Sequence, residues 1–254
     1  MSKVALVTGG SLRIGKAIIN ELHQKGWRIV VHYRNSQKPA EQLVKRLNNN
    51  RAKSAICVGA DLSSHEGIDY LIQATTDAFK RLDLLVNNAS SFYPTPAGKI
   101  TTEDWDELVG SNLMAPIFLI DGLKKHLEKY KGNIINITDA NLNRVFSNHT
   151  VYIAAKAGLS KITQTYAKDL APSIRVNAVA PGAILPPPNK EWTKQIENKI
   201  AAAIPLKKIG KVSDIVSAVM FLLESTAIAL IVRSLRLRSS LRVTLSSAKK
   251  VKPL

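Results

Sequence analysis

Tyr152 and Lys156 are the residues of this chain whose types and spacing most directly suggest chemistry. They lie four residues apart at the start of a segment with helical character, so both side chains project from one helical face. A free phenol has a pKa of about 10 and is a weak acid at neutral pH. A nearby ammonium favours the phenolate and lowers that pKa. The pair therefore predicts an activated phenol, although the same spacing also occurs by chance on solvated helix faces.

Short apolar runs alternate with amphipathic segments along most of the chain. The runs are rich in Val and Ile and are bounded by Gly, Asn or Asp, which is typical of buried strands. They are Val4–Thr8, Arg28–Tyr33, Ser54–Gly59, Leu82–Asn87, Asn133–Thr138 and Arg175–Ala180. The longest helical candidates are Thr102–Lys129 and Thr150–Ala171. This alternation predicts a single-domain, Rossmann-like α/β fold with a doubly wound parallel sheet and helices on both faces.

A glycine-containing turn over residues 9–15 joins the first predicted strand to the first predicted helix. Gly9 and Gly15 allow a tight turn and a close approach of the backbone to a pyrophosphate. The N-terminus of the following helix then directs free N–H groups at the phosphates. Because the Gly-x-Gly-x-x-Gly spacing is absent, a tight turn without a ligand remains an alternative.

The end of the second predicted strand bears on the choice of cofactor. A carboxylate there would bind the adenosine ribose of NAD and repel a 2′-phosphate. The chain instead has His32, Tyr33, Arg34 and Ser36 at this point. Arg34 and Ser36 can both contact phosphate, so the sequence favours NADPH. The alternative is that Arg34 is a solvated loop residue.

Over residues 1 to about 225 the chain resembles the short-chain dehydrogenase/reductase family. The resemblance rests on motifs that occur in the order and spacing of that family, and the combination is specific although each motif is short. They are Thr8-Gly9-x-x-x-Arg13-Ile14-Gly15, Asp61-Leu62, Asn87-Asn88-Ala89-Ser90, Asn112, Tyr152-x-x-x-Lys156 and Pro181-Gly182. The resemblance implies an NADPH-dependent reductase that forms a homotetramer.

Two departures from the general family pattern indicate a particular subgroup of the family. Arg13 stands where the family usually has glycine, and Asp139 stands where it usually has a serine. Both substitutions, and the run from Asn87 to Pro96, are similar to those of pteridine reductases. The chain therefore resembles bacterial pteridine reductases, or dihydromonapterin and dihydrofolate reductases, which implies a pterin substrate and a place in folate metabolism.

The resemblance implies a role for each matched residue. Tyr152 would donate a proton to a ring nitrogen of the pterin, Lys156 would hold the nicotinamide ribose, and Asp139 would relay protons. Asn112 would help to hold the lysine, unless it is an ordinary polar residue within a helix. Phe92 would stack on the pterin, unless it is a core aromatic that anchors its loop.

The implied catalytic residues are Asp139, Tyr152, Lys156 and Asn112. The implied cofactor-binding residues are Gly9, Arg13, Ile14, Gly15, His32, Tyr33, Arg34, Ser36, Asp61, Leu62, Asn88, Ala89, Ser90, Tyr152, Lys156, Pro181 and Gly182. The implied substrate-binding residues are Arg13, Ser90, Phe92, Asp139 and Tyr152.

Several other functions are weighed against pterin reduction. A ketone-reducing enzyme of the same fold is the nearest alternative, and Asp139 and Phe92 argue against it. A non-catalytic dinucleotide sensor is a second, and the retained Tyr152, Lys156 and Asn112 argue against it. The five histidines are scattered and lack metal-ligand spacing, so no metal site is expected, and they are expected to be surface or structural residues. Acyl transfer has no support, because a Gly-x-Ser-x-Gly motif is absent.

The net charge of +17 raises the possibility of a nucleic acid partner. Much of the excess lies after Glu224, where seven basic residues and no acidic ones occur. Without that segment the chain has 29 basic and 19 acidic residues, or +10. No aromatic or docking motif accompanies the charge, so nucleic acid is an unlikely partner.

The last 29 residues depart from the family pattern. We expect a reductase domain over residues 1–225 and an atypical basic segment over 226–254, in which Ala227–Val232 can form a short strand. The abrupt change in composition suggests a reading-frame change or a poorly constrained tail, and it puts the homotetramer in doubt. No apolar run is long enough to cross a membrane, and the single cysteine, Cys57, suits a reducing cytoplasm.

Overall fold

A computed structural model describes residues 2–142, 145–186, 191–225 and 231–233, the last of these by their backbone alone. Within these residues seven strands form one sheet. The strands are β1 (Val4–Val7), β2 (Arg28–Tyr33), β3 (Ala55–Gly59), β4 (Leu84–Asn87), β5 (Asn133–Ile137), β6 (Arg175–Ala180) and β7 (Ile231–Arg233). The first six match the predicted runs to within two residues, because each is a Val/Ile-rich segment between turn-forming residues.

Eight α-helices alternate with these strands in the described part of the chain. They are α1 (Arg13–Gln24), α2 (Gln37–Asn50), α3 (His65–Phe79), α4 (Thr102–Val109), α5 (Ala115–Lys129), α6 (Thr150–Asp169), α7 (Lys194–Ala203) and α8 (Val212–Glu224). Their buried positions recur at helical spacing, as in Ile18, Ile19 and Leu22 of α1. These apolar faces cover the sheet.

The sheet has the order β3-β2-β1-β4-β5-β6-β7, with every strand pair parallel. Two apolar clusters lie against it, one containing Ile18, Ile19 and Val219 and the other Leu71, Leu119 and Leu123. The predicted single-domain α/β fold, with a doubly wound parallel sheet and helices on both faces, is confirmed. The order of strands reverses between β1 and β4, and ligands of such sheets bind at the carboxyl ends of the strands beside that point.

The predicted long helix over Thr102–Lys129 is present, but its hydrogen bonding changes midway. Residues Gly110–Met114 form a π-helical segment that joins α4 directly to α5. At its start the chain passes close to another loop, because a Cβ on Gly110 would lie 2.8 Å from the Cα of Ser63. Such π-helical segments often occur at functional sites, and this one contains Asn112.

The proposed division at residue 225 lies at the end of α8. Only Ile231–Arg233 of the last 29 residues are described, and they pair in parallel with β6. The rest of the predicted atypical segment, including residues 227–230 of the expected short strand, lies outside the described residues. Among the helices that the structure describes, none is long and apolar enough to span a membrane.

Candidate active site

Tyr152 and Asp139 form the centre of the candidate site. Asp139 follows β5 by two residues, and Tyr152 lies in the first turn of α6, so strand and helix bring together residues that are 13 positions apart. The Tyr152 hydroxyl donates a hydrogen bond to Oδ2 of Asp139 across 2.8 Å. The other carboxylate oxygen of Asp139 accepts the backbone N–H of Asn141 at 2.7 Å. The carboxylate is therefore fixed from two sides.

Lys156 lies one turn further along α6 and is buried. Its Nζ donates to the backbone oxygen of Ile137 at 2.9 Å. An ammonium carries three protons, so two further donor positions are available to a ligand or to water. Burial lowers the pKa of Lys156 to about 8, and the charge of Asp139 partly opposes that change.

The pKa of Tyr152 changes in the direction opposite to the sequence prediction. Burial raises it most, and the negative charge of Asp139 and the hydrogen bond to that carboxylate raise it further. The prediction of a phenol made more acidic by Lys156 is therefore wrong for this structure. The reason is that the hydroxyl faces a carboxylate, while the lysine ammonium is directed to the carbonyl of Ile137.

Asn112 joins the π-helical segment to the loop after β4. Its amide nitrogen donates to the backbone oxygens of Ser91 and Leu108, both at 2.9 Å. Its side-chain oxygen accepts the Ser90 hydroxyl at 2.7 Å. The fully buried asparagine thus holds in place the two serines that precede Phe92. This is a more specific arrangement than an ordinary polar residue within a helix.

The turn between β1 and α1 is held closely against the loop after β4. Asn88 donates from its amide to the backbone oxygens of Thr8 and Gly9, and the N–H groups of Asn88 and Ala89 both donate to the Thr8 hydroxyl. Gly9 has a φ of 59°, and a Cβ on Gly15 would lie 2.4 Å from the Gly9 oxygen. Both positions therefore require glycine.

His32, which is a predicted cofactor-binding residue, has both ring nitrogens bonded to the backbone, one of them within this turn. The imidazole is buried, its Nδ1 accepts the Gly9 N–H at 3.0 Å, and its Nε2 donates to the Ala60 oxygen at 3.0 Å. Burial lowers the pKa of His32 to about 4, so the ring is neutral at pH 7. Both ring nitrogens are used within the chain, and His32 supports the turn.

Five further predicted cofactor residues lie in different surroundings. Leu62 and Ile14 pack with the apolar clusters, so any contact of Leu62 with a cofactor would come through its backbone. Tyr33 packs over Gly59 at the end of β3. Pro181 accepts the Ala140 N–H at 2.9 Å and so places Gly182 beside the strand end that carries Asp139.

The predicted phosphate contacts at the end of β2 are engaged with other residues of the chain. The Ser36 hydroxyl lies 2.6 Å from that of Ser11, within the β1–α1 turn. Arg34 pairs with Glu107 at 2.8 Å and lies 3.9 Å from the nearest oxygen of Asp61. Sequence reasoning missed Glu107, because an ion pair between residues 73 positions apart leaves no local pattern.

Arg13 connects the same turn to the segment after β6. It has a φ of 52°, which glycine adopts more readily, and its guanidinium donates to the backbone oxygen of Pro186. Burial lowers the pKa of Arg13. With three consecutive prolines at 186–188, the sequence also predicts a stiff loop over residues 183–189 that closes over the substrate. This loop is described as far as Pro186, and the remainder lies outside the described residues.

An aromatic cluster lies against Tyr152. The Phe92 and Tyr152 rings pack in a T-shaped arrangement, with their centroids 4.8 Å apart. The Phe92 ring also stacks on the His149 imidazole, with a centroid distance of 4.8 Å and an interplanar angle of 17°. Phe146, which is 39% exposed, lies 4.4 Å from the ring of His149. One face of Phe92 is thus covered by an imidazole that the sequence treated as surface or structural. The position of His149, three residues before Tyr152, was the available signal.

The residues around the β1–β4 switch point fit a dinucleotide. Helix α1 begins there behind Leu12, whose side chain cannot cap it, and its first turn has no acidic residue. Uncapped N–H groups at a helix N-terminus favour phosphate. No group of three or more potential metal-ligating His, Cys, Asp or Glu side chains occurs among the described residues.

The doubly wound sheet, the glycine turn at its switch point and the buried tyrosine–lysine pair define an oxidoreductase of the Rossmann-like type. The chain belongs to the short-chain dehydrogenase family, whose pattern matches residues 3–197. Enzymes of this family use NAD(P)H.

Three curated relatives cover nearly the whole chain. The chain is 36% identical over 233 residues to the 3-oxoacyl-[acyl-carrier-protein] reductase of Synechocystis sp., covering 91% of this chain and 92% of the relative. It is 31% identical over 229 residues to the enzyme of the same name from Staphylococcus epidermidis, covering 89% and 93%. It is 33% identical over 261 aligned residues to pteridine reductase 1 of Leishmania tarentolae, covering 87% and 90%.

Proposed function

We propose that this chain is an NADPH-dependent reductase of dihydropterins such as dihydrobiopterin, dihydromonapterin or dihydrofolate. The observation that carries the proposal is the 2.8 Å hydrogen bond between Tyr152 and Asp139. Reduction of a C=N bond requires a proton at a ring nitrogen. A phenol joined to a half-buried carboxylate can deliver that proton and be recharged from solvent.

Tyr152 and Asp139 would act in sequence. The O–H bond of Tyr152 breaks as a new N–H bond forms on the ring nitrogen, which leaves a phenolate beside the Asp139 carboxylate. Asp139 then takes up a proton from solvent and passes it to the phenolate, which restores both the phenol and the carboxylate, so one proton is consumed in each turnover. Lys156 stabilises the transient phenolate by its positive charge and holds the ribose hydroxyls with its remaining donors. When bound, NADPH supplies the hydride to the carbon of the C=N bond.

The cofactor would be held by the β1–α1 turn and by the end of β2. Gly9, Gly15 and the first turn of α1 provide the close backbone approach and free N–H groups that suit a pyrophosphate. Arg34 and Ser36 would contact the 2′-phosphate, which is the basis for proposing NADPH. Asn112, through Ser90, would shape the wall between cofactor and substrate.

The pterin would lie beside the aromatic cluster of Phe92, Phe146 and His149. Phe92 packs against the Tyr152 ring in a T-shaped arrangement, so a flat ring beside it would lie within reach of the phenol. Arg13 would border the same space from the opposite turn. We keep residues 1–225 as the proposed reductase domain and 226–254 as a distinct segment.

Reduction of a ketone is the second candidate, favoured by the 36% identity to a 3-oxoacyl-[acyl-carrier-protein] reductase. The experiment that separates the two is NADPH oxidation with three dihydropterins and a panel of ketones that includes a 3-oxoacyl thioester. Turnover of a dihydropterin, with little activity on ketones, is expected. Clear ketone reduction without turnover of any pterin would replace the leading proposal by the second.

A further inference from the structure

Glu107 lies between two parts of the candidate site that are distant in sequence. It is in the last turn of α4 and is partly buried, with 32% of its side chain exposed. Its Oε1 accepts a hydrogen bond from Arg34 Nη1 at 2.8 Å and another from the Ser91 hydroxyl at 2.7 Å. One carboxylate oxygen therefore connects the end of β2 to the loop after β4.

This contact changes the electrostatics of the position that discriminates between NADPH and NADH. In dinucleotide-binding sheets an acidic residue at the end of the second strand favours the free ribose of NAD and repels a 2′-phosphate. The chain has no acid in that stretch, but α4 supplies one from the side. Asp61, whose Oδ1 lies 3.9 Å from Arg34 Nη1, also partly offsets the attraction of Arg34 for an anion.

We infer that Glu107 is a specificity-determining residue, which competes with the 2′-phosphate of NADPH for Arg34 and thereby limits the preference for NADPH over NADH. The inference rests on the proposed function for the identity of the cofactor. For the phosphate to pair with the guanidinium, the Arg34–Glu107 ion pair must open, or the negatively charged phosphate must lie close to the negatively charged carboxylate. NADH lacks the 2′-phosphate and leaves the pair intact.

The size of the effect of Glu107 on NADPH affinity depends on how far the Arg34 and Glu107 side chains are exposed to solvent. Arg34 and Glu107 are each about one-third exposed, so solvent screens the pair and its contribution is modest. Removal of the carboxylate charge should tighten NADPH binding by about threefold at low ionic strength and leave NADH binding unchanged. The difference should shrink in about 0.5 M salt, because the Debye length then falls well below 10 Å.

The test compares Glu107→Gln with wild type and with Asp106→Asn. The glutamine keeps an oxygen that can accept from Ser91 and removes only the charge. Asp106 is exposed and adjacent, so its substitution removes the same charge without a contact to Arg34. Dissociation constants of NADPH and NADH are measured by calorimetry at low and high salt, and thermal unfolding checks that each variant folds.

The expected result is tighter NADPH binding in Glu107→Gln alone, with NADH unaffected. Equal effects in Glu107→Gln and Asp106→Asn would overturn the inference, because general charge would then explain them. Weaker NADPH binding in Glu107→Gln would also overturn it, since Glu107 would then be orienting Arg34 for the phosphate. Failure of the wild-type protein to bind either nucleotide would instead contradict the proposed function.

Discussion

The Tyr152 hydroxyl and the Asp139 carboxylate are 2.8 Å apart, and the phenol is the donor. This contact raises the pKa of the phenol while providing a route by which a proton can return to it. A buried phenol with a raised pKa holds its proton until a basic acceptor is placed against it. A ring nitrogen that gains electron density during reduction is such an acceptor. A neutral ketone oxygen becomes basic enough to accept the proton only later in its reaction.

Replacing Tyr152 by Phe should reduce turnover of a dihydropterin by about 10²-fold or more, because it removes the proposed proton donor. The aromatic ring and its contact with Phe92 remain, so NADPH binding should change little. The measurements are steady-state NADPH oxidation and the NADPH dissociation constant. Tyr166→Phe, on the same helix but outside the site, is the matched control. Equal activity in the Tyr152 variant and wild type would show that the phenol is not the proton source.

Replacing Asp139 by Ser should alter which substrate is preferred. The serine supplies a hydroxyl that can contact a carbonyl but lacks the carboxylate that is proposed to return a proton to Tyr152. We expect kcat/KM for a dihydropterin to fall about tenfold or more, and kcat/KM for a 3-oxoacyl thioester to rise relative to it. Asp139→Asn, which removes the charge without introducing a hydroxyl, separates the two effects. Parallel losses for both substrates would argue that Asp139 has no part in selectivity.

The sequence predicts the fold well because its signals are local. Val/Ile runs bounded by turn residues define six of the strands, and the alternation with helices requires parallel pairing. The meeting of Asp139 with Tyr152 is also predictable, since the end of β5 and the start of α6 lie at the carboxyl edge of the same sheet. Spacing and topology together are enough for these features.

The electrostatics of the site are harder to obtain from sequence, because they depend on burial and on partners far along the chain. The direction of the Tyr152 pKa follows from its burial and from which charged group its hydroxyl faces. The role of His32 depends on contacts to Gly9 and Ala60, which only the folded turn brings together. The Arg34–Glu107 pair likewise requires α4 to approach the end of β2.

NADPH affinity should decrease as pH rises through about 8, because the pKa of Lys156 is lowered to about 8 by burial. Above that pH the amine is neutral and stabilises neither the ribose contacts nor negative charge. The measurement is the NADPH dissociation constant at pH 7 and pH 9. Lys156→Met should bind NADPH more weakly and lose most of this pH dependence. A wild-type affinity that does not change over this range would place the ribose contact elsewhere.

The contribution of Lys156 to folding stability changes with pH in the direction opposite to its contribution to NADPH affinity. An effect on binding can therefore be told apart from unfolding in that experiment. Its pKa is about 8 in the folded chain and 10.5 in an unperturbed lysine. Between these values the unfolded state binds more protons, so this group makes the folded state more stable as pH rises. A loss of NADPH binding at pH 9 therefore cannot be attributed to unfolding caused by Lys156.

His32 should make the protein less stable as pH falls from 6.5 towards 4. Its pKa is about 4 when folded, against 6.5 for an unperturbed histidine, so the unfolded state binds more protons in this window. The expected loss of unfolding free energy from this residue is about 2 kcal/mol between pH 7.5 and pH 5. Protonation places a donor on Nδ1, which then cannot accept the Gly9 N–H, so the β1–α1 turn should loosen first.

Urea unfolding of wild type and His32→Gln at the two pH values measures this contribution. The glutamine amide can accept from Gly9 and donate to Ala60 but does not titrate. The variant should therefore lose about 2 kcal/mol less stability than wild type on acidification. His65→Gln, at an exposed histidine, should lose as much as wild type. If His32→Gln and wild type lose stability equally, the buried imidazole does not control the acid sensitivity of the turn.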